Sequence, residues 1–290
     1  MKKVITFSIF VLLALALFSC KGTPPPPPPP PRPAEPAPTP PPQVQDTEGP
    51  VLGVQLSCRY FSPDGDGVND ILTITLSCKD QSPIDNWSFD IREPNSNLVF
   101  YHWEGKSSPP ASLTWDGKSS SGELVQSASD YPYEFKARDI FGNASSVEGI
   151  IEIDILVIRD GNTLRVQVPS IMFPANSGRF AGLDPQISAA NDYVLRRIAV
   201  TLNKFSDYKV RVEGHANPTA TTPAAQQREQ AELQTLSEQR ARTVVDYLVN
   251  LGVARDRLTP FGIGASRPIV SLQDQANWWK NRRVEFILVR

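Results

Sequence analysis

Apolar and polar positions change their period along the chain, and each change predicts a different kind of structure. Val4 to Phe18 is an almost unbroken apolar run. Between about Thr47 and Asp154 the apolar residues come in short alternating or β-rich runs: VLGVQLSC, ILTITLSC, WSFDIRE, NLVFYHWEG, YPYEFKARD and EGIIEIDI. A period of two places successive side chains on opposite faces of a strand, so these runs predict β-strands. The Asp, Gly, Ser, Pro and Asn clusters between them predict turns. Several short strands at this spacing predict a small β-sandwich.

From about Gly161 the period lengthens. TLRVQVPSIMF predicts a strand. In DPQISAANDYVLRRIAVTLNKF, residues Ile187, Ala190, Val194, Ile198, Leu202 and Phe205 recur at helical spacing, with Asp184 as N-cap and Pro185 as first helical residue. YKVRVEG predicts the next strand, and LSEQRARTVVDYLVNLG a second helix that stops at Gly252. RLTPFGIG and RRVEFILVR add two strands. The order βαβαββ predicts an α+β sandwich with its helices on one face of a sheet.

The N-terminus sets the expected compartment. Lys2 and Lys3 precede the apolar run, which ends in LFSC, an arrangement expected of an export signal. The small residue before Cys20 resembles a bacterial lipobox, which implies a signal peptide over 1–19 and acyl chains such as palmitate on Cys20. Residues 20–46 then hold a proline run expected to extend in polyproline II geometry at ~3.1 Å per residue, a spacer of roughly 80 Å. A proline-rich ligand for a partner domain is the alternative use of that run.

Charge narrows the partners. The 290-residue chain carries 29 Lys and Arg against 31 Asp and Glu, a formal charge of -2. Losing Lys2 and Lys3 would make it about -4, and no basic stripe points to nucleic acid. Two further cysteines, Cys58 and Cys78, end alternating runs. A hairpin turning near residue 65 would set Cys58 opposite position 72, about six residues and roughly 20 Å along the ladder from Cys78. That register opposes a disulfide, although an exported protein permits one. Asp64, Asp66, Asn69 and Asp70 in DGDGVND offer the oxygen donors of a weak calcium candidate. Asp-Gly turns form equally well with no metal.

In the second helix Arg240 falls in the apolar stripe of Leu233, Leu236, Val244, Leu248 and Leu251. An inward guanidinium requires an anion or several acceptors. An internal acid such as Glu213 or Glu285 would serve, and so would a ligand carboxylate. His102 and His215 fall in different regions, and no zinc spacing, phosphate loop, dinucleotide fingerprint or nucleophile elbow occurs. The chain is therefore read as a non-enzyme without cofactors or catalytic residues.

Two resemblances sharpen these expectations. FSPDGDGVND, WDGKSSSGELV and YEFKARDIFGN resemble the immunoglobulin-like repeat of FlgD-type proteins, which implies such a sandwich over 47–157. IMFPANSGRF, VEGHAN, LSEQRARTVVDYL, GVARDRLTPFGIGASRPI and NRRVEFIL, in register, resemble the OmpA-like C-terminal family shared by Pal and MotB, which implies an OmpA-like domain over 158–290. The family binds peptidoglycan non-covalently, gripping the stem-peptide diamino acid with an Asp and an Arg. The matching residues here are Asn217 and Arg240, with Asn176 after the first strand assisting. Gly214 is expected to turn the chain tightly beside the ligand and His215 to buttress or line that corner. Asn217 replaces a carboxylate, so weaker binding or a different diamino acid is expected. PTATTPAAQQREQAELQT is an insertion expected to cover the pocket or extend the helix. Asn281 and Arg283 are implied to stabilise the fold, the alternative being that Arg282 and Arg283 only cap a sheet edge.

The resulting expectation is a lipid-anchored protein facing the periplasm from the outer membrane and gripping peptidoglycan, with an envelope protein as a partner for the β-sandwich. The competing expectation is a periplasmic interaction scaffold whose OmpA-like domain has weakened or lost wall binding.

Overall fold

The alternating runs form the strands they predict, because each has one face to bury. A computed structural model describes residues 46–94, 96–218, 220 and 222–290. The expected signal peptide, Cys20 and the proline run lie outside them. Eight strands come first: β1 (Val51–Leu56), β2 (Tyr60–Phe61), β3 (Leu72–Lys79), β4 (Ile84–Arg92), β5 (Val99–Lys106), β6 (Ser112–Trp115), β7 (Asp130–Asp139) and β8 (Ala144–Ile153). They form a three-stranded sheet, β1-β3-β6, and a five-stranded sheet, β2-β8-β7-β4-β5.

The facing sides of the two sheets share one core. Leu72, Ile74, Leu113 and Trp115 meet Trp87, Phe89, Ile91, Tyr131, Phe135 and Ile151 there. β1 pairs antiparallel with β3, Leu52 facing Cys78 and Leu56 facing Ile74, so Cys58 continues the register opposite Leu72. This is the register expected from sequence, and both thiols are free.

The C-terminal half continues with β9 (Ile158–Asp160), β10 (Thr163–Val168), α1 (Pro185–Lys204), β11 (Lys209–His215), α2 (Pro223–Asn250), β12 (Leu258–Gly264), α3 (Trp278–Asn281) and β13 (Val284–Val289). Asp184 caps α1 by accepting from the Gln186 N–H at 2.8 Å, with Pro185 at the first helical position. The inserted segment extends α2 by several turns, starting at Pro223. The sheet order is β12-β11-β13-β10-β9, with β11 and β12 parallel. The short β9 at its edge and α3 add to the predicted βαβαββ order.

One face of this sheet meets both helices. Val166, Val168, Val210, Val212, Val284 and Phe286 pack there against Leu195, Ile198 and Leu202 of α1 and Ala241, Val244 and Leu248 of α2. Each fully buried Val or Leu contributes about 1.5–3 kcal/mol, so this layer sets the helix positions. Alternation sends Arg165, Gln167, Glu213, His215 and Glu285 to the opposite face.

The two cores touch. Ala128 and Ile155 pack in the second core, while Leu156 and Ile158 pack against the first. Asp46 to Arg290 accordingly belong to one compact unit. Among the described residues no helix is long and apolar enough to cross a membrane.

Candidate functional site

The loop after β10 carries Asn176 and meets Arg240. Asn191 of α1 holds it by a reciprocal pair with Met172, accepting from its N–H at 3.0 Å and donating to its carbonyl at 2.7 Å. Phe173 and Phe180 stack within the loop at 4.7 Å between ring centres. Asn176 stands exposed near the loop's tip with φ 52°, a left-handed conformation that asparagine tolerates. Thr243 of α2 donates to the Gly178 carbonyl at 2.5 Å. Gly178 is glycine because α2 comes too close for a side chain: a Cβ there would lie 2.4 Å from the Gln239 Cβ.

Arg240 projects from α2 onto this loop. Its Nε donates to the Ser177 carbonyl at 3.1 Å, and its guanidinium carbon lies 5.1 Å from the Phe173 ring centre. Burial lowers its pKa, and the positive charge of Arg282 lowers it further. Among the described residues Arg240 makes no ion pair with a carboxylate. The internal salt bridge expected from spacing is therefore absent, and the reason is geometric. Glu213 and Glu285 alternate to the far face of the sheet, where Arg211 and Arg267 pair with Glu213, and Arg283 with Glu285.

The second group implied by the resemblance lies at the corner after β11. Strand pairing continues through His215, which pairs with Gly264 after a register shift. Ala216 N–H then donates to the Gly264 carbonyl at 2.8 Å. Half-buried Asn217 follows, its Oδ1 accepting from Asn281 Nδ2 at 3.0 Å. Asn281 Oδ1 also accepts the N–H groups of Ile269 and Val270. Asn281 thus ties together three segments: the Asn217 corner, the loop before α3 and α3 itself. Arg282, the next residue, is the cation nearest in effect to Arg240.

Gly214 differs from its expected place, and His215 takes the buttressing one of its two expected roles without lining the corner. Gly214 has no positive φ and turns nothing. It allows α2 to cross the strand, because a Cβ would meet the Ser237 carbonyl oxygen at 2.1 Å. His215 is 2% exposed on the far face of the sheet, with Nε2 3.8 Å from both Glu213 Oε2 and Glu285 Oε1. Neither ring nitrogen has a hydrogen-bond partner among the described residues. Burial, reinforced by Arg283, Arg267 and Arg165, lowers its pKa to about 3, so the ring is neutral. Arg283 is likewise 4% exposed and bonded to Glu285 at 2.7 Å, a buried structural cation and no solvated edge cap.

The weak calcium candidate is a loop held by its own carboxylates. Asp70 accepts from the Gly65 and Gly67 N–H groups, both at 2.7 Å, and Asp66 from Val68. Asp64 Oδ2 accepts from Val157, while its Oδ1 is buried without a partner. Burial raises the Asp64 carboxyl, with Asp66 and Asp70 nearby adding to it. Asn69 takes φ 57° in the turn. A cavity of about 480 Å³ lies elsewhere, bounded by residues including Val125, Gln126, Arg165, Gln167 and Ile269. Arg165 and Gln167 place it on the sheet face away from Arg240.

The OmpA family model matches residues 179–282, so the C-terminal half carries an OmpA-like domain. The peptidoglycan-binding protein ArfA of Mycobacterium tuberculosis is 37% identical over 98 residues, covering 33% of this chain and 28% of that protein. The peptidoglycan-associated lipoprotein of Mesorhizobium japonicum is 36% identical over 97 residues, covering 33% of this chain and 53% of that protein. The chain thus spans between 28% and 53% of the length of these relatives. A solved MotB-like protein from Desulfovibrio vulgaris matches with TM-score 0.37 at 24% identity, over 46% of this chain and 77% of that one.

Proposed function

We propose that the protein binds peptidoglycan non-covalently through its OmpA-like domain and, anchored by lipid on Cys20 to the outer membrane, links membrane to wall from the periplasmic side. Arg240 carries this reading. It is a half-buried guanidinium fixed on its Nε side by Ser177 and Phe173, with Arg282 beside it and, among the described residues, no internal carboxylate to neutralise it. A cation so placed is completed by an external carboxylate, which a stem peptide supplies. Two relatives bear names that associate them with peptidoglycan. Asn217 and Asn176 flank the ligand in this reading. Gly214 and His215 act beneath it, by admitting α2 and filling the sheet's far face. Catalysis has no part, and the immunoglobulin-like β domain over 47–157 is free to recruit an envelope protein.

One observation favours the scaffold reading. Asn217, which stands where the family has a carboxylate, spends its Oδ1 on Asn281. An occupied neutral acceptor holds a ligand ammonium poorly. Co-sedimentation of residues 21–290 with purified peptidoglycan, beside Arg240→Ala, separates the two. Pelleting of the parent that is lost in the variant supports the wall anchor. Parent and variant both remaining in solution supports the scaffold.

A further inference from the structure

α3 is four residues long, yet it ties the two halves of the chain together. Lys280 is 0% exposed, and its Nζ lies 2.8 Å from Glu93 Oε1 and 2.7 Å from Glu123 Oε1. Both acids belong to the β domain: Glu93 follows β4 and Glu123 lies between β6 and β7. Its neighbour Asn281 is 1% exposed and bonded to Asn217. Adjacent residues of one turn thus hold the β domain on one side and the Asn217 corner on the other.

Burying an ammonium and its long stem is costly in desolvation and in rotamer freedom, so the arrangement survives only while both partners stay in place. Glu93 is itself 6% exposed, and burial raises its carboxyl against the opposing pull of Lys280. Other contacts prevent the joint from pivoting. Gln167 donates to Gln126 at 2.9 Å, Arg197 pairs with Asp154 at 2.6 Å, and the Tyr60 and Tyr193 hydroxyls meet at 2.6 Å. An apolar residue at 280 would have joined the halves at lower cost. What the charged triad adds is register, the use for which buried polar groups are best attested.

We infer that Lys280 is a positioning residue for the wall site: the Glu93 and Glu123 carboxylates of the β domain fix α3, and α3 through Asn281 fixes Asn217. The inference rests on the proposed wall-binding reading, and it makes the β domain part of the binding apparatus. An OmpA-like domain freed from the β domain would hold Asn217 less firmly and bind more weakly.

Glu123→Gln tests this in residues 21–290. It keeps shape, removes one charge from a half-exposed position and leaves Glu93 to neutralise Lys280. Co-sedimentation with purified peptidoglycan should show about fivefold weaker binding, comparable to one hydrogen bond's net worth. The same substitution should change nothing further in an Asn217→Ala background, because the effect travels through that side chain. Equal affinity of Glu123→Gln and parent, or full additivity with Asn217→Ala, would overturn the inference.

Side-chain amide resonances of Asn217 and Asn281 report on the link with no ligand present. Glu123→Gln should move both while the backbone amides of β10 and β11 stay fixed. Unmoved side-chain resonances overturn the relay whether or not the wall is bound. Moved resonances in a parent that fails to pellet retain the relay and remove the wall-binding reading.

Discussion

The Arg240 guanidinium lies 5.1 Å from the centre of the Phe173 ring, and among the described residues no carboxylate answers its charge. Ring face and Ser177 carbonyl fix one side of the planar cation, and its far edge has no hydrogen-bond partner among the described residues. Lysine at this position keeps the charge and loses the fork and the stacking plane. Peptidoglycan affinity is expected to fall in the order Arg240, Arg240→Lys, Arg240→Ala, the last by at least about tenfold, since charge-assisted bonds are worth ~1.5–3 kcal/mol. Thermal stability should drop little, by about 1–2 kcal/mol, because only a cation–π contact and one bond to a carbonyl are lost. Equal pelleting by all three forms would remove Arg240 from the site.

Asn217→Asp adds the carboxylate that the OmpA-like pattern expects at this corner. Asn281 Nδ2 can donate to an aspartate oxygen as it does to Asn217 Oδ1, so the corner should keep its shape. Replacing a neutral acceptor by a charged one gains about 1 kcal/mol toward a ligand ammonium. Sedimentation should therefore be tighter by about fivefold. A variant that pellets no better than the parent at equal stability would show that the stem ammonium does not reach residue 217.

Gly214→Ala tests the packing that shapes the site from below. The added Cβ would start 2.1 Å from the Ser237 carbonyl oxygen, and backbone cannot swing aside as a flexible side chain can. α2 must lift, carrying Arg240 with it. Overpacking of this kind costs about 1–3 kcal/mol, to be read as a lower urea midpoint at unchanged slope. Unchanged stability would mean that α2 does not sit on the strand as described.

The cap at Asp184, the β1–β3 register and the Val194, Ile198 and Leu202 face of α1 were legible because each follows from local chemistry or a fixed period, although Ala190, expected on that face, is exposed. The stripe on α2 correctly placed Arg240 toward the body of the protein. It could not say which groups stood opposite, and alternation along β11 and β13 sends the two candidate acids to the wrong face. Gly214 read as a turn because glycine serves both turning and close approach, and only the crossing helix distinguishes them. Lys280 gave no signal, since its partners lie 187 and 157 residues away in sequence.

His215 makes the acid limb of stability a test of the buried far face. Its folded-state pKa, about 3, lies below the ordinary value of 6.5, because burial and then the charges of Arg283, Arg267 and Arg165 disfavour the imidazolium. Between these values the unfolded chain binds a proton that the folded chain refuses. The group's contribution is therefore intact above pH 6.5 and is lost as pH falls toward 3, with a slope of at most about 1.4 kcal/mol per pH unit. His215→Leu removes the titration at similar volume. Because neither ring nitrogen is hydrogen-bonded among the described residues, the substitution should cost less than about 1 kcal/mol at pH 7. Urea unfolding from pH 7 down to 4 should then show a shallower loss of stability in His215→Leu than in the parent. Parallel curves would mean that the imidazole reaches water or an anion on folding, and that the sheet's far face is open where the structure has it closed.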